Sequence, residues 1–190
     1  MKKLALTDFA KYRYPSALEL SPDGRYLTFA LKEVDREGDG YRWNLWLYDL
    51  ESRESRQITQ GDDQRQAVWE DNTHILYKTT EPDEAMRARG FEEEWTVYHR
   101  LNVCTGEERE AFRLPMSVSG LWKMDEGRYV FTGETHLDRP NLLELTGEAL
   151  EKELVRRQQT KGYKVLTELP LCENGVGMFN QTRNTLFLYL

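Results

Sequence analysis

Hydrophobic and polar residues alternate in short runs along most of the chain, and turn signals separate these runs, which is typical of β-strands. In ALELSPDGRYLTFAL, a Pro-Asp-Gly turn ending at Gly24 precedes a strand that contains Leu27, Phe29 and Leu31. Pro presets φ, Asp bonds back to the backbone and Gly accepts a positive φ in such a turn. Because both faces of this strand are fairly apolar, we expect it to belong to a sheet packed between two others.

The same unit recurs along the chain. The inner turns at Gly24, Asn72 and Gly127 are about 50 residues apart, and outer hairpins follow the first two, the first with its turn near Ser52. NLLELTGE, which starts at Asn141, is predicted to begin the third outer hairpin. Two hairpins per unit make a four-stranded sheet, and units slightly longer than the ~40–45 residues of WD-type repeats are typical of β-propeller blades.

The sequence therefore predicts an all-β fold, a partial β-propeller of about three four-stranded blades plus the start of a fourth. A short helical insertion is expected from Gly147 to Gln159, between the third blade and the fourth, because its acidic residues come early and its basic residues late. NTLFLYL, from Asn184, nearly repeats WNLWLYDL, from Trp43, so the chain ends within an apolar strand. An evenly spaced β-sandwich is the alternative fold.

Composition narrows the classes of partner. The formal net charge of −7 argues against a surface that follows nucleic acid phosphates. Cys104 and Cys172 are the only cysteines and form no C-x-x-C pattern, which favours a cytoplasmic location. Thr7 and Asp8 interrupt the N-terminal apolar run, so it does not read as a signal peptide, and no run approaches the ~18 apolar residues of a membrane span. We expect neither a nucleic acid nor a membrane as partner.

Catalytic and metal-binding motifs are missing from the sequence. A hydrolase nucleophile elbow needs Gly-x-Ser-x-Gly, and Ser117 and Ser119 in MSVSG lack the first glycine. His74, His99 and His136 are scattered, and no pair has metal-ligand spacing. No glycine-rich phosphate loop is present. We expect no catalytic residue, no metal site and no cofactor on this chain.

Three stretches carry a resemblance to a known family. LTDFAKYRYPSALELSPDGRYLTFAL, followed by NLWLYDLESRESRQIT, resembles the N-terminal β-propeller of the prolyl oligopeptidase family of serine peptidases, in particular its acylaminoacyl-peptidase-like bacterial members. YKVLTELPLCENGVGMFNQTRNTLFLYL is also similar, but has Leu171-Cys172 where those members tend to carry bulky aromatics. The resemblance implies a propeller of about seven blades that screens access of peptides to a Ser-His-Asp site in a C-terminal α/β-hydrolase domain.

The resemblance also implies a function. Residues 1–190 would be an incomplete N-terminal propeller domain, with the catalytic domain absent from this chain. We expect the substrate-screening part of a serine peptidase that cleaves short peptides, without catalysis by this chain alone. The alternative is a non-catalytic propeller-like scaffold that binds a peptide or protein. The expected partners are peptide substrates, the missing hydrolase domain and a second copy of the chain, because apolar faces and an edge strand at Leu186–Leu190 would lie exposed.

One charged run is a candidate substrate-binding site. Glu92, Glu93 and Glu94 follow Phe91 and precede Trp95. In the dipeptidyl-peptidase branch of the same family, an aromatic residue and consecutive glutamates bind the free α-amino group of the substrate, which implies this role for Glu92 and Glu93. Two fixed carboxylates bind one ammonium group better than a single exposed one. The alternative is a solvated acidic loop before a strand.

Overall fold

The structure is a computed structural model that describes residues 5–35, 38–125, 127–137, 139–161, 172–173, 177–178 and 182–190. The chain divides into two compact units. The first comprises Met1–Thr80 and Val97–Arg113, and the second comprises Glu81–Thr96 and Leu114–Leu190.

Strands dominate the described part of the chain. They are β1 (Tyr14–Leu20), β2 (Tyr26–Asp35), β3 (Gly40–Asp49), β4 (Glu54–Gln57), β5 (Ala67–Trp69), β6 (His74–Pro82), β7 (Glu94–Asn102), β8 (Glu108–Leu114), β9 (Val118–Asp125), β10 (Arg128–His136), β11 (Cys172–Glu173), β12 (Gly177–Met178) and β13 (Thr182–Tyr189). The helices are the 3-10 helices η1 (Leu6–Lys11) and η2 (Leu142–Glu144) and the α-helices α1 (Glu84–Ala88) and α2 (Gly147–Thr160).

The first sheet is an antiparallel meander in the order β1-β2-β3-β4. Its first turn forms as the sequence predicted. Gly24 has φ +74°, and the Asp23 carboxylate accepts hydrogen bonds from the Ser21 hydroxyl (2.6 Å) and the Arg25 amide (3.1 Å). Positive φ at a β-turn position favours glycine because it has no Cβ. The second sheet has the same strand count and order, β5-β6-β7-β8, so the predicted second repeat is also confirmed.

An apolar core fills the first unit. It contains side chains from both β3 and the second sheet, and three of its members, Ala30, Leu45 and Ile75, are completely buried. The buried members are Ala30, Leu45, Leu47, Ala67, Trp69, Ile75, Tyr77, Leu101 and Val103. Because the members alternate along their strands, each strand contributes one face to this core, as period-2 geometry requires.

The third sheet has the order β13-β10-β9. Its third strand is the C-terminal β13, which pairs with β10 from Tyr129↔Tyr189 to His136↔Thr182. The C-terminal stretch therefore takes the third position in its sheet, the position that the related stretch in β3 takes in the first sheet. The predicted all-β fold, a partial β-propeller with a short helical insertion, is confirmed by this repetition of antiparallel meanders.

Two details of the third repeat differ from the prediction. NLLELTGE forms η2 and the start of α2 rather than an outer strand, so that prediction is wrong. The Asn141 side chain accepts a hydrogen bond from the Leu143 amide (2.9 Å) and caps η2, and Leu142 is buried in an apolar cluster with Leu154 of α2 and Met86 of α1. The helix itself begins where it was predicted, but it lies between the second and third strands of the third sheet, not after that sheet.

Candidate functional site

A cavity of about 540 Å³ lies in the second unit and contains the charged run that the sequence singled out. Glu92, Glu93 and Glu94 line it, together with the apolar side chains of Met116 and Phe187. The residues before β9, the end of β10 and the segment that follows it supply the rest of the wall, with Arg157 from α2. The volume is within the ~300–1,000 Å³ of small-ligand sites.

Hydrogen bonds of Asp83 fix the loop that carries these glutamates. Asp83 caps α1 by accepting a hydrogen bond from the Met86 amide (2.9 Å), and its other oxygen accepts one from Trp95 Nε1 (2.9 Å). The bond from Trp95, and then that from Met86, lowers the pKa of Asp83. The Asp83 amide in turn donates to the carbonyl of Glu93 (2.7 Å). The main chain at Glu93 is therefore tied to the start of α1.

Arg89 and Gly90, which precede Phe91 and the three glutamates, have structural roles here. Gly90 has φ +83°, a conformation that favours glycine, and lets the chain turn after α1. Phe91 then packs against the apolar cluster around Met86. Arg89 forms a two-bond ion pair with Glu151 of α2 (3.0 and 2.7 Å), which lowers the pKa of that carboxyl. Arg89 and Phe91 therefore hold the loop to the helical insertion.

Glu93 is half-buried and already has a cationic partner. Its Oε1 accepts a hydrogen bond from Arg157 Nη1 (2.6 Å). The Arg157 side chain is 11% exposed and also donates to Glu153 Oε1 (3.0 Å) and to the carbonyl of Pro140 (2.6 Å). Arg157 thus joins α2 to two parts of the cavity wall. A carboxylate offers about four acceptor positions, so the second oxygen of Glu93 is left to bind another donor.

Glu92 and Glu94 are exposed on either side of Glu93. Five glutamates line the cavity, against two arginines and one histidine, so the cavity is acidic. The field of such a wall favours a cationic group in a bound ligand. The structure therefore places both sequence-predicted residues, Glu92 and Glu93, at one cavity of acidic character.

The other wall carries a histidine–arginine pair. His136 lies at the end of β10, and its Nε2 is 3.1 Å from Nη2 of Arg139. Both side chains are half-buried and line the cavity. No sequence motif marks Arg139. The pairing of Arg157 with Glu93 could not be predicted because 64 positions separate the two residues.

The remaining candidates from the sequence lie apart. His74 contacts Asp71 (2.9 Å), His99 contacts Thr79 (3.1 Å), and each is in the first unit, whereas His136 is in the second. Within the described residues no group of three or more His, Cys, Asp or Glu side chains is arranged to hold a metal ion. None of the helices in the described ranges is long and apolar enough to cross a membrane.

Comparison with solved structures identifies the fold. The chain is similar to an acylaminoacyl peptidase from Pyrococcus horikoshii, with a TM-score of 0.62 and 12% identity over 96% of this chain and 24% of that one. An acylaminoacyl peptidase in complex with Z-Gly-Gly-Phe-chloromethyl ketone gives a TM-score of 0.61 and 12% identity, over 95% and 24%. The AtxE2 isopeptidase gives a TM-score of 0.52 and 15% identity, over 90% and 26%.

The chain spans about a quarter of the length of these peptidases. No protein-family model matches the sequence, and no curated protein matches it. The structural likeness covers nearly all of this chain. The predicted likeness to acylaminoacyl peptidases is therefore confirmed at the level of the fold.

Proposed function

We propose that this chain is the substrate-screening part of a serine peptidase that cleaves short peptides and resembles acylaminoacyl peptidase or prolyl oligopeptidase. The observation that carries the proposal is the fold, which over 96% of the chain is that of a portion of solved acylaminoacyl peptidases. Chemistry by a Ser-His-Asp site would then belong to a separate hydrolase domain, because the sequence contains no Gly-x-Ser-x-Gly. The cytoplasmic location stays a prediction from the cysteine content.

The cavity of the second unit supplies the screening chemistry. A peptide that enters it carries an α-ammonium group, and Glu92 and the second oxygen of Glu93 are the acceptors we assign to that group. Arg157 holds Glu93 in place by the 2.6 Å bond to Oε1, so little side-chain freedom is lost when the ammonium binds. Charge-assisted bonds to two neighbouring carboxylates, one of them held in place, add geometric selection to their energy.

A serine-directed fluorophosphonate probe tests the assignment of catalysis to a separate domain. We expect no covalent labelling of this chain, and labelling would overturn that part of the proposal. The reading frame beyond the codon for Leu190 supplies the second test. A Gly-x-Ser-x-Gly motif within a predicted strand–turn–helix is expected there. A frame without any hydrolase domain would instead support the alternative function, a non-catalytic scaffold that binds peptides or proteins.

Peptide titrations test the role of Glu92 and Glu93. We expect a tripeptide such as Ala-Ala-Phe-amide to bind about tenfold more tightly than its N-acetylated form, since acetylation removes the charge that the carboxylates bind. The double variant Glu92→Gln/Glu93→Gln should lose this difference. Glu148→Gln, an exposed change on α2 outside the cavity, is the matched control and should retain it. Equal binding of both peptides by the unaltered chain would contradict the role.

A further inference from the structure

Arg139 is an unusual arginine within the second unit. Its guanidinium is half-buried on the cavity wall, and its single hydrogen-bond contact within the described residues is the neutral acceptor Nε2 of His136. Most of the other arginines of this unit behave differently, although the exposed Arg183 also donates to a neutral acceptor, the carbonyl of Thr182 (3.0 Å). Arg89, Arg128 and Arg157 each bond a carboxylate.

This difference matters because an arginine side chain has many hydrogen-bond donors that need acceptors. A guanidinium presents five N–H donors in a planar fork that matches the two oxygens of a carboxylate, and it keeps its charge at every physiological pH. Arg157 illustrates a satisfied case, with two carboxylates and one carbonyl bound at 2.6–3.0 Å. Arg139 lines the same cavity, and among the residues that the structure describes most of its donors are available to a ligand.

His136 explains how Arg139 is positioned without being neutralised. An imidazole nitrogen that accepts an N–H bond is unprotonated, so the contact at 3.1 Å orients the guanidinium but leaves its positive charge intact. A carboxylate partner from the protein would have cancelled that charge. Arg139 is therefore a cationic donor that can bind an anionic acceptor, and His136 is the residue that positions it.

We propose that Arg139, positioned by His136, binds a carboxylate of the ligand, so that the cavity selects short peptides with a free C-terminal carboxyl group. The proposal rests on the proposed function, in which the cavity takes peptides. The acidic run Glu92–Glu94 and the cation Arg139 line one cavity of about 540 Å³. This distribution of charge complements a short zwitterionic peptide, with its ammonium at the glutamates and its carboxylate at the arginine.

Matched acid and amide peptides test the proposal. We expect Ala-Ala-Phe with a free carboxyl group to bind the unaltered chain about tenfold more tightly than Ala-Ala-Phe-amide, the effect of a charge-assisted, two-bond contact. Arg139→Gln should abolish this tenfold preference and leave binding of the amide unchanged, which also shows that the variant is folded. Arg128→Gln, an exposed arginine outside the cavity, should behave as the unaltered chain.

N-acetylated forms of the same two peptides separate this proposal from the one it rests on. They lack the ammonium group, so a preference for the acid in this pair reports on Arg139 alone. If that preference persists while acetylation has no effect on affinity, the role of Glu92 and Glu93 fails and that of Arg139 stands. Equal binding of acid and amide, or a preference that survives Arg139→Gln, overturns the Arg139 proposal. Absence of binding for every peptide overturns both.

Discussion

Strands β3 and β13 have nearly the same sequence and opposite surroundings. In β3, Leu45 and Leu47 are 0% and 3% exposed, whereas the equivalent Leu186 and Leu188 of β13 are 67% and 55% exposed. Each strand is the third in its sheet and pairs along its length with the second strand. The same apolar pattern therefore leads to a core in one unit and to a solvent-exposed face in the other.

The opposite faces of these two strands are built alike. Trp46 of β3 stacks on Phe29 with ring centroids 6.5 Å apart, and Phe187 of β13 stacks on Phe131 at 5.0 Å. Both are cross-strand pairs in register, the unit of sheet stabilisation. The difference thus concerns only the leucine face. In the first unit, side chains of the second sheet such as Ile75 cover that face. The alternation of apolar residues therefore specifies the strand, while the burial of its leucines depends on a neighbouring sheet.

The largest effect, on the free energy of unfolding, is expected when equivalent leucines of β3 and β13 are replaced by alanine. Leu45→Ala should lower the free energy of unfolding by about 2–5 kcal/mol, because it leaves a cavity in a fully buried site. Leu186→Ala should change it by less than about 0.5 kcal/mol, since the side chain is exposed. Urea denaturation of both variants at low protein concentration measures the difference. Equal losses would show that β13 is covered in solution.

The exposed face of β13 should also bind a second copy of the chain. Val130 lies opposite both Leu188 and the exposed Trp122, so apolar side chains form a continuous row across the third sheet. Exposed apolar patches and edge strands recruit partners. We expect Leu186→Lys/Leu188→Lys to weaken self-association at least about tenfold. Val155→Lys, on an exposed position of α2, is the control and should not weaken it.

Sedimentation velocity at tens of micromolar measures this association. The unaltered chain and the Val155→Lys variant should sediment as oligomers, and the double lysine variant as a monomer. A monomeric unaltered chain, or a double variant that associates as strongly as the parent, would contradict the prediction.

A smaller effect on the free energy of unfolding is expected from aspartates at equivalent turns of the second and third sheets. Burial opposes ionisation of Asp71, but hydrogen bonds from the Thr73 and His74 amides outweigh it and lower the pKa of Asp71 to about 2. Because the pKa falls below its ordinary value of 3.8, Asp71 stabilises the folded chain above about pH 4. That contribution is lost as the pH falls from about 4 to about 2.

Asp71→Asn should therefore cost about 1 kcal/mol at pH 7, a value reduced by the exposure of the side chain to solvent. The variant should also show a shallower loss of stability between pH 4 and pH 2 in acid titrations followed by circular dichroism. Asp125→Asn is the matched control in the third sheet. The pKa of Asp125 is lowered by an exposed bond from Arg128, and no measurable change is expected there. An unchanged acid slope in Asp71→Asn would contradict the assignment.

Local patterns predicted the strands, the turns and the start of α2 from the sequence. The turn at Gly24 depends on a few adjacent residues, so it can be predicted without knowledge of the fold. The apolar pattern at Leu142–Glu144 predicts a strand, but the segment is a short helix. Asn141 caps it, and Leu142 packs with Met86 and Leu154, which lie outside the segment. Glu92 and Glu93 can be recognised in the sequence because they belong to a run of consecutive glutamates. Arg157, the partner of Glu93, could not be predicted in this way, because 64 positions separate the two residues.

The sequence by itself determined most of the strands, the turns between them and their repetition as antiparallel meanders, because alternation and turn propensity act over a few residues. The tertiary structure alone decided that β13 completes the third sheet after a helical insertion, and that Arg139 and Arg157 line one cavity with Glu92 and Glu93. Burial and charge pairing depend on distances between segments far apart in the chain. Those distances are set only when the sheets pack.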